Sequence, residues 1–214
     1  MRIVEIKNKE ILDILQDFKY NYLTKWSPSE TNNMITGPKG TTREDWISHE
    51  FLDELMSQGR KHDGSPSAAL SYALKPDHYN GHHKTDYYLD YMSLDSRLKE
   101  ALGLDCCALS QLYPPGGFIA WHTNENASAH NLLFTWSETG DGYFEYVDPE
   151  TKEIVRMKDK KGWSCKAGYF GGQHEEDKIV YHAASTDCWR MTISYTLGHS
   201  LEYWQDVIDD INTP

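Results

Sequence analysis

The sequence lacks several features that would place it quickly in a class of proteins. It has no apolar run long enough to span a bilayer, and residues 1–7 contain no apolar signal-peptide region. Basic residues are few: 21 Lys and Arg stand against 33 Asp and Glu, and the formal net charge is −12. A field of this sign repels nucleic acid and anionic membranes. We therefore expect a cytoplasmic protein that binds neither partner.

Cysteine is also scarce, with residues at positions 106, 107, 165 and 188 only. No two of them have the C-x-x-C spacing of a zinc site, so we expect free thiols in a reducing compartment. No internal repeat or low-complexity tract interrupts the chain. At 214 residues the sequence predicts a single domain with a sizeable core. It does not distinguish a monomer from a homodimer.

The character of the sequence changes at about residue 107. Before it, helix patterns dominate: one helix capped by Asn8, a second from Thr42 to Gly59, and a third from Ser93 to Leu102. After it, short strand-like segments are separated by Gly, Pro, Asn and Asp. A last helix follows Ser200, with Leu201, Trp204, Ile208 and Ile211 on one stripe. The predicted strands are 107–113, 117–122, 131–136, 142–147, 153–157, 165–170, 178–182 and 189–197.

Eight short strands of this kind predict an antiparallel jelly roll or barrel rather than a parallel sheet. We therefore predict a mainly β protein with flanking helices (α+β). In the single domain 1–214, residues 1–106 form a helical part with a variable loop packed on the core, 107–197 form the core, and 198–214 form a C-terminal helix. Two charged segments, 158–161 and 174–177, are interpreted as solvated turns.

Two histidines lie at the margins of apolar runs in the strand region. His122 follows Phe118–Trp121, His182 follows Ile179–Tyr181, and Arg190 comes eight residues after His182. Imidazole suits iron, zinc, copper and nickel, and two histidines with one carboxylate leave metal positions open for substrate and oxygen. A buried arginine needs an anionic partner. The layout therefore indicates a metal that also holds an organic acid.

The strand that begins near Arg190 has a period of two. Arg190, Thr192 and Ser194 share one face, because alternate residues of a strand point the same way. Ile193 and Tyr195 lie on the other face, which is strongly apolar. A strand with such a neighbouring face belongs to the interior, so we expect Arg190 to point into a pocket rather than to a solvated edge.

Taken in order, these pieces resemble the Fe(II)/2-oxoglutarate-dependent oxygenases, most closely the prolyl 4-hydroxylase-like branch. The resemblance implies a double-stranded β-helix (jelly-roll, cupin-like) core. It implies an enzyme that hydroxylates a small-molecule or peptide substrate while 2-oxoglutarate yields succinate and CO2. The matching pieces in the C-terminal half are Tyr113, Gly116–Gly117, His122–Asn124, Gly140–Phe144, Gly168–Phe170, His182 and Arg190.

The resemblance also implies roles for individual residues. It places Fe(II) on His122, Asn124 and His182, and these would be the catalytic residues. It places 2-oxoglutarate on Arg190 and Thr192, and two further cosubstrate contacts are implied at the strand positions Tyr113 and Asn131.

The sequence departs from the family pattern at Asn124, where the family has a carboxylate. Three alternatives remain open. Asn124 ligates the metal through its amide oxygen, which is neutral and so a weaker ligand. Glu125 turns inward and supplies the carboxylate, which needs a kink because successive strand residues face opposite ways. Otherwise the site is inactive and the fold serves binding.

Two other functions stay open beside the oxygenase. One is a catalytically inactive jelly-roll binding protein, and the other is a cupin-type metalloenzyme without 2-oxoglutarate. The acidic surface favours a neutral or cationic substrate. The His-rich loop within residues 60–90 is interpreted as a surface loop that contributes to substrate recognition. Its histidines are His62, His78, His82 and His83.

Overall fold

The structure is a computed structural model, and it describes residues 1–27, 39–59, 64–75, 86–124, 128–172, 174–198 and 200–214. A 3₁₀ turn at Glu176–Lys178 connects the ninth and tenth strands. The helices are α1 (Lys9–Lys25), α2 (Arg43–Trp46), α3 (His49–Gln58), α4 (Asp86–Leu102) and α5 (Leu201–Asn212). The strands are β1 (Arg2–Val4), β2 (Ala69–Leu70), β3 (Tyr72–Ala73), β4 (Cys106–Tyr113), β5 (Phe118–His122), β6 (Ala129–Ser137), β7 (Gly142–Val147), β8 (Ile154–Lys158), β9 (Gly162–Phe170), β10 (His182–Thr186) and β11 (Arg190–Leu197).

The strands form two antiparallel sheets. The larger sheet has the order β1-β9-β6-β11-β4-β3, and the smaller has the order β2-β5-β10-β7-β8. From β4 to β11 the chain passes back and forth between the sheets, apart from the β7–β8 hairpin, which stays in the smaller one. This winding of eight strands is a double-stranded β-helix, or jelly roll. The predicted fold class, a mainly β protein with flanking helices, is confirmed.

Helices cover the outer face of the larger sheet. Buried side chains of α1, α4 and α5 form one core cluster with the outward-facing residues of β6 and β11. The outer face of the smaller sheet contacts α3, where Leu52 and Leu55 pack with Trp121. The inner faces of the two sheets enclose a further cluster around Tyr113 and Phe144. Because helices pack on the outer faces, the inner faces are available for a shielded site.

The helix ends agree with the predicted caps at two places. The Asn8 side chain accepts hydrogen bonds from the backbone at the start of α1, and the Ser200 side chain accepts one at the start of α5. Trp204, Ile208 and Ile211 are buried as predicted. Leu201, predicted on the same stripe, is 70% exposed because it lies in the first turn, beyond the edge of the core.

Three predicted element boundaries are wrong. The helix expected from Thr42 to Gly59 is two helices, because the Ser48 side chain caps a new helix by accepting from the Phe51 backbone. Ser93 lies inside α4 rather than at its start. The strand expected at 178–182 begins only at His182, since residues 176–178 form the 3₁₀ turn that leads into it.

The remaining predictions concern the cysteines, membrane-spanning segments and residues outside the described ranges. The four cysteines are free thiols, as expected. No helix in the described ranges is both long and apolar enough to cross a membrane. The histidines of the 60–90 loop, His62, His78, His82 and His83, and the alternative ligand Glu125 lie outside the described residues.

Candidate metal and carboxylate site

A cavity of about 340 Å³ lies between the two sheets. Both sheets contribute to it, and one wall is formed by Gly64, Ser65 and Pro66, which precede β2. Along β11 it is lined by the alternate residues Arg190, Thr192, Ser194 and Thr196. The predicted inward face of this strand is therefore confirmed, and the cavity extends along the length of β11.

Two imidazoles lie together in the wall that the smaller sheet provides. His122 ends β5 and His182 begins β10, and the two residues are directly opposite in the antiparallel register. Their ring centroids are 4.1 Å apart, and both residues are buried. Residues that are distant in sequence are thus neighbours through one pair of adjacent strands.

An irregularity in β5 turns His122 toward the cavity. Ala184 pairs with Ile119, while His182 pairs with His122, so β5 has one more residue than β10 over this interval. Ile119 lines the cavity, whereas Trp121 packs in the outer cluster with α3. Strict alternation from Ile119 would have sent Trp121 inward and His122 outward. The bulge reverses this order, which is a common use of bulges beside functional sites.

Backbone carbonyls fix the tautomers of both rings. Nδ1 of His122 lies 2.8 Å from the Ala120 carbonyl oxygen, and Nδ1 of His182 lies 3.0 Å from that of Val180. A carbonyl only accepts, so each Nδ1 carries the proton and donates it. Nε2 is then the nitrogen with a lone pair in the neutral ring, the form that binds metals.

The surroundings of His182 keep its ring neutral. Burial lowers the pKa of His182 well below its ordinary value, and the nearby His122 lowers it further. The rings of Phe170 and Phe144 pack against it, with centroids 5.0 and 5.7 Å away. A rigid, neutral imidazole is what a metal ligand requires.

The residues after His122 line the same cavity. Asn124 is half-buried and lines the cavity together with the two histidines. The hydroxyl of Thr123 is buried and makes no hydrogen bond with any described residue. An unpaired buried hydroxyl of this kind is destabilising.

The donor set fits iron in part. Within the described residues, no group of three His, Cys, Asp and Glu side chains could hold a metal ion. The two imidazoles match two of the three protein ligands of a facial triad. Asn124 offers a neutral oxygen in place of the missing carboxylate.

Arg190 lies at the other end of β11 from Thr196, and it is 2% exposed. Its Nε donates to Asp159 Oδ2 at 2.7 Å, and its Nη1 donates to Thr192 Oγ1 at 2.6 Å. Lys166 donates from Nζ to Asp159 Oδ1 at 2.7 Å. The carboxylate of Asp159 is therefore shared between two buried cations.

The predicted solvated turn at segment 158–161 is wrong for Asp159. Its side chain is fully buried, because Gly142 leaves room for it: a Cβ at Gly142 would stand 2.8 Å from Asp159 Oδ2. Burial raises the pKa of the Asp159 carboxyl, but Arg190 and Lys166 outweigh this and the net pKa is lowered. Burial lowers the pKa of Lys166, and Asp159 opposes that shift.

The two secondary candidates also line the cavity. The ring centroid of Tyr113 lies 5.4 Å from the guanidinium carbon of Arg190. Burial raises the pKa of Tyr113 to about 12, while Arg190 acts in the opposite direction. Asn131 donates from its amide to the Ala129 carbonyl at 3.0 Å, so its orientation is set by its own strand.

The structure thus brings His122, Asn124, His182, Arg190, Thr192, Tyr113 and Asn131 to one cavity. Sequence reasoning missed Asp159 and Lys166. A lysine inside the strand-like run Trp163–Phe170 was the available signal for Lys166, since a charged residue between Cys165 and Ala167 needs a partner when the strand is buried.

Comparisons with known proteins leave the family open. No family model matches the sequence, and no curated protein matches it. Among solved structures, the chain is similar to a prolyl-4-hydroxylase from Pseudomonas putida, with a TM-score of 0.42 and 13% identity over 92% of this chain and 91% of that one. It is also similar to the capsular polysaccharide assembling protein CapF from Staphylococcus aureus, with a TM-score of 0.22 and 13% identity over 70% of this chain and 41% of that one. The fold assignment therefore stands on the strand order, and the function must be argued from the site.

Proposed function

We propose that this chain is an Fe(II)- and 2-oxoglutarate-dependent dioxygenase of the cytoplasm that hydroxylates a small-molecule or peptide substrate. One observation carries the proposal. A single cavity between the sheets holds two buried imidazoles, His122 and His182, and a buried guanidinium, Arg190, on the opposing sheet. A metal and an organic anion bound together in that cavity would use both groups.

The imidazoles are suited to iron. His122 and His182 would hold it through Nε2, because Nδ1 of each ring is committed to a backbone carbonyl. Asn124 would add its amide oxygen, and the charge that the missing carboxylate would have supplied would come from the bound keto acid. Iron, when bound, supplies the dioxygen chemistry; the protein supplies position and shielding.

Arg190 and Thr192 would hold the far carboxylate of 2-oxoglutarate. Nη2 of Arg190 makes no hydrogen bond with any described residue, and the residue lines the cavity. A charged donor in a site of low dielectric binds a carboxylate strongly. Apolar walls from Leu133, Phe144 and Phe170 would exclude water around the bound acid.

The rest of the lining favours a neutral substrate group. Apart from Arg190 and the two histidines, the described residues that line the cavity carry no ionisable side chain except Tyr113. A second buried charge from the substrate would therefore have no partner there. The acidic surface leaves room for a cationic group outside the cavity.

The test is anaerobic addition of Fe(II) and 2-oxoglutarate, followed by oxygen. We expect a weak visible charge-transfer band on addition, and succinate release once oxygen enters. Arg190→Lys should weaken 2-oxoglutarate binding at least about tenfold. A lysine ammonium cannot replace the planar guanidinium, which donates to Thr192 and to the bound carboxylate at the same time. Ser194→Ala is the matched control on the same strand face, and it should leave the band intact. Metal binding that ignores 2-oxoglutarate would instead identify a cupin-type enzyme.

A second candidate is a jelly-roll protein that binds the organic acid without turnover. It is favoured by the lack of a carboxylate beside the two histidines in the part of the chain that the structure describes. It predicts 2-oxoglutarate binding that is unaffected by Fe(II), together with no succinate release in oxygen. The same titration therefore separates the two candidates.

A further inference from the structure

Next to the cavity, Arg190 belongs to an unbalanced group of buried charges. Asp159, Lys166 and Arg190 are all buried, at 7%, 1% and 2% exposure. Each cation contacts a different oxygen of the one carboxylate, at 2.7 Å in both cases. Two positive charges against one negative charge leave a surplus of one positive charge in the interior. Such a surplus is expensive in a low-dielectric site unless a ligand completes it.

Lys166 has no other function visible in the structure. Among the described residues, the only polar contact of its side chain is Asp159, and it does not line the cavity. If Lys166 were apolar, Asp159 and Arg190 would form a neutral pair, and the attraction of Arg190 for an anion would be largely cancelled. With Lys166 present, its ammonium group neutralises the carboxylate of Asp159. The charge of Arg190 then remains available to a ligand in the cavity.

We propose that Lys166 is a positioning residue that sets the charge of the cavity, so that the site beside Arg190 takes a ligand with a carboxylate and rejects its uncharged isostere. Asp159 links the two cations and orients Arg190 through Nε. The inference deepens the proposed function and rests on it only in taking the ligand to be a carboxylic acid. Its ligand class is a short dicarboxylate that places one carboxylate next to Arg190.

Gly142 supports a built site rather than an accidental cluster. A Cβ at Gly142 would stand 2.8 Å from Asp159 Oδ2, so the site leaves no space for a side chain there. The backbone N–H of Asp159 also donates to the Gly142 carbonyl at 2.9 Å. This hydrogen bond holds the backbone of Asp159 beside Gly142, and the carboxylate lies between the two cations.

The experiment measures charge preference without iron. Glutarate and glutaramide have nearly the same shape, but only glutarate is charged, and both are titrated into chelator-treated protein by NMR. The wild type should prefer glutarate by about tenfold or more, as expected for one unscreened charge in a partly buried site. Lys166→Met should lose most of this preference, and Lys166→Arg should keep it.

The decisive variant is the double substitution Asp159→Asn with Lys166→Met. It restores a surplus of one positive charge, on Arg190 alone, while the introduced amide can still accept from Arg190 through its oxygen. Recovery of the glutarate preference supports a role through charge; a preference as low as in Lys166→Met alone overturns it, as does no preference in the wild type. Circular dichroism verifies folding in each case. The titration involves neither metal nor turnover, so the glutarate preference can be interpreted even if the protein is not an oxygenase.

Discussion

The two faces of β11 are both buried, but different interactions hold them. The outer face presents Met191, Ile193 and Tyr195 to the helices, each at 0% exposure. The inner face presents Arg190 and Thr192 to the cavity, with directional contacts. Apolar burial is non-directional and scales with the area removed from water, whereas a buried charge depends on each partner. One strand therefore joins a stabilising surface to a binding surface.

The largest effect is expected on the inner side, from Asp159→Asn. This change leaves Lys166 and Arg190 as two buried cations with a neutral neighbour, and we expect a loss of about 3–5 kcal/mol in the free energy of unfolding. Urea denaturation measures it, with the exposed Glu153→Gln as a control that should change little. A loss under about 1 kcal/mol would show that the cations do not depend on this carboxylate.

The same carboxyl predicts a pH dependence with a defined sign. The pKa of Asp159 is lowered in the folded protein from its ordinary value of 3.8, so the charged form stabilises the fold. This contribution is fully present only above the ordinary pKa of 3.8, and it is lost as the pH falls through the lower, folded pKa. Wild type should therefore lose more stability on acidification than Asp159→Asn. Equal acid titrations of stability would contradict the assignment.

On the outer side, Ile193→Ala should cost about 2–5 kcal/mol, because it removes a fully buried branched side chain from the cluster under the helices. The glutarate preference should not change, since the cavity lies on the other face. Ser194→Ala, a change at the adjacent inward residue, is the control and should reduce the free energy of unfolding far less. A change in ligand preference in Ile193→Ala would mean that the two faces are coupled.

A smaller effect is expected for Asn124→Asp. If Asn124 faces the metal, a carboxylate adds a negative charge to the ligand set, and the dissociation constant for Mn(II) or Fe(II) should fall about tenfold. Anaerobic titration of the purified protein measures this change. Asn124→Ser, which offers a shorter neutral oxygen, is the control. An unchanged constant in Asn124→Asp would indicate that the side chain points away from the imidazoles.

The smallest effect is expected for Thr135→Val. Thr135 lies on β6 opposite Thr192, is fully buried, and its hydroxyl makes no hydrogen bond with a described residue. Replacing it by an isosteric methyl group should stabilise the protein by about 1 kcal/mol. Thermal denaturation with and without glutarate checks this. Destabilisation that appears only with ligand would mean that the hydroxyl contacts the ligand.

The alternation in β11 was predictable because it is a local property. Arg190, Thr192 and Ser194 recur every second residue, and the period alone places them on one face. The eight-strand pattern was predictable for the same reason, since each strand is bounded by turn residues. Caps such as Asn8 are local too. These features need no knowledge of what packs against them.

Features that depend on distant contacts could not be predicted in this way. Asp159 stands among three lysines, a composition typical of solvent, and only the space beside Gly142 and the two cations make its burial possible. The predicted start of β10 is wrong because Ile179–Tyr181 has high strand propensity, while pairing with β5 and β7 begins at His182. Tertiary pairing outweighs local propensity there.

Because β5 contains one extra residue, the direction of the His122 imidazole depends on the number of residues in the strand and not only on the residue type. Removing one residue between Ile119 and His122 would restore regular pleating and rotate the ring of His122 toward α3, although every histidine would still be present in the sequence. A homologue could thus keep both histidines and still have no paired imidazoles. In this fold, counting residues between the turn at Gly116–Gly117 and the histidine is as informative as finding the histidine itself.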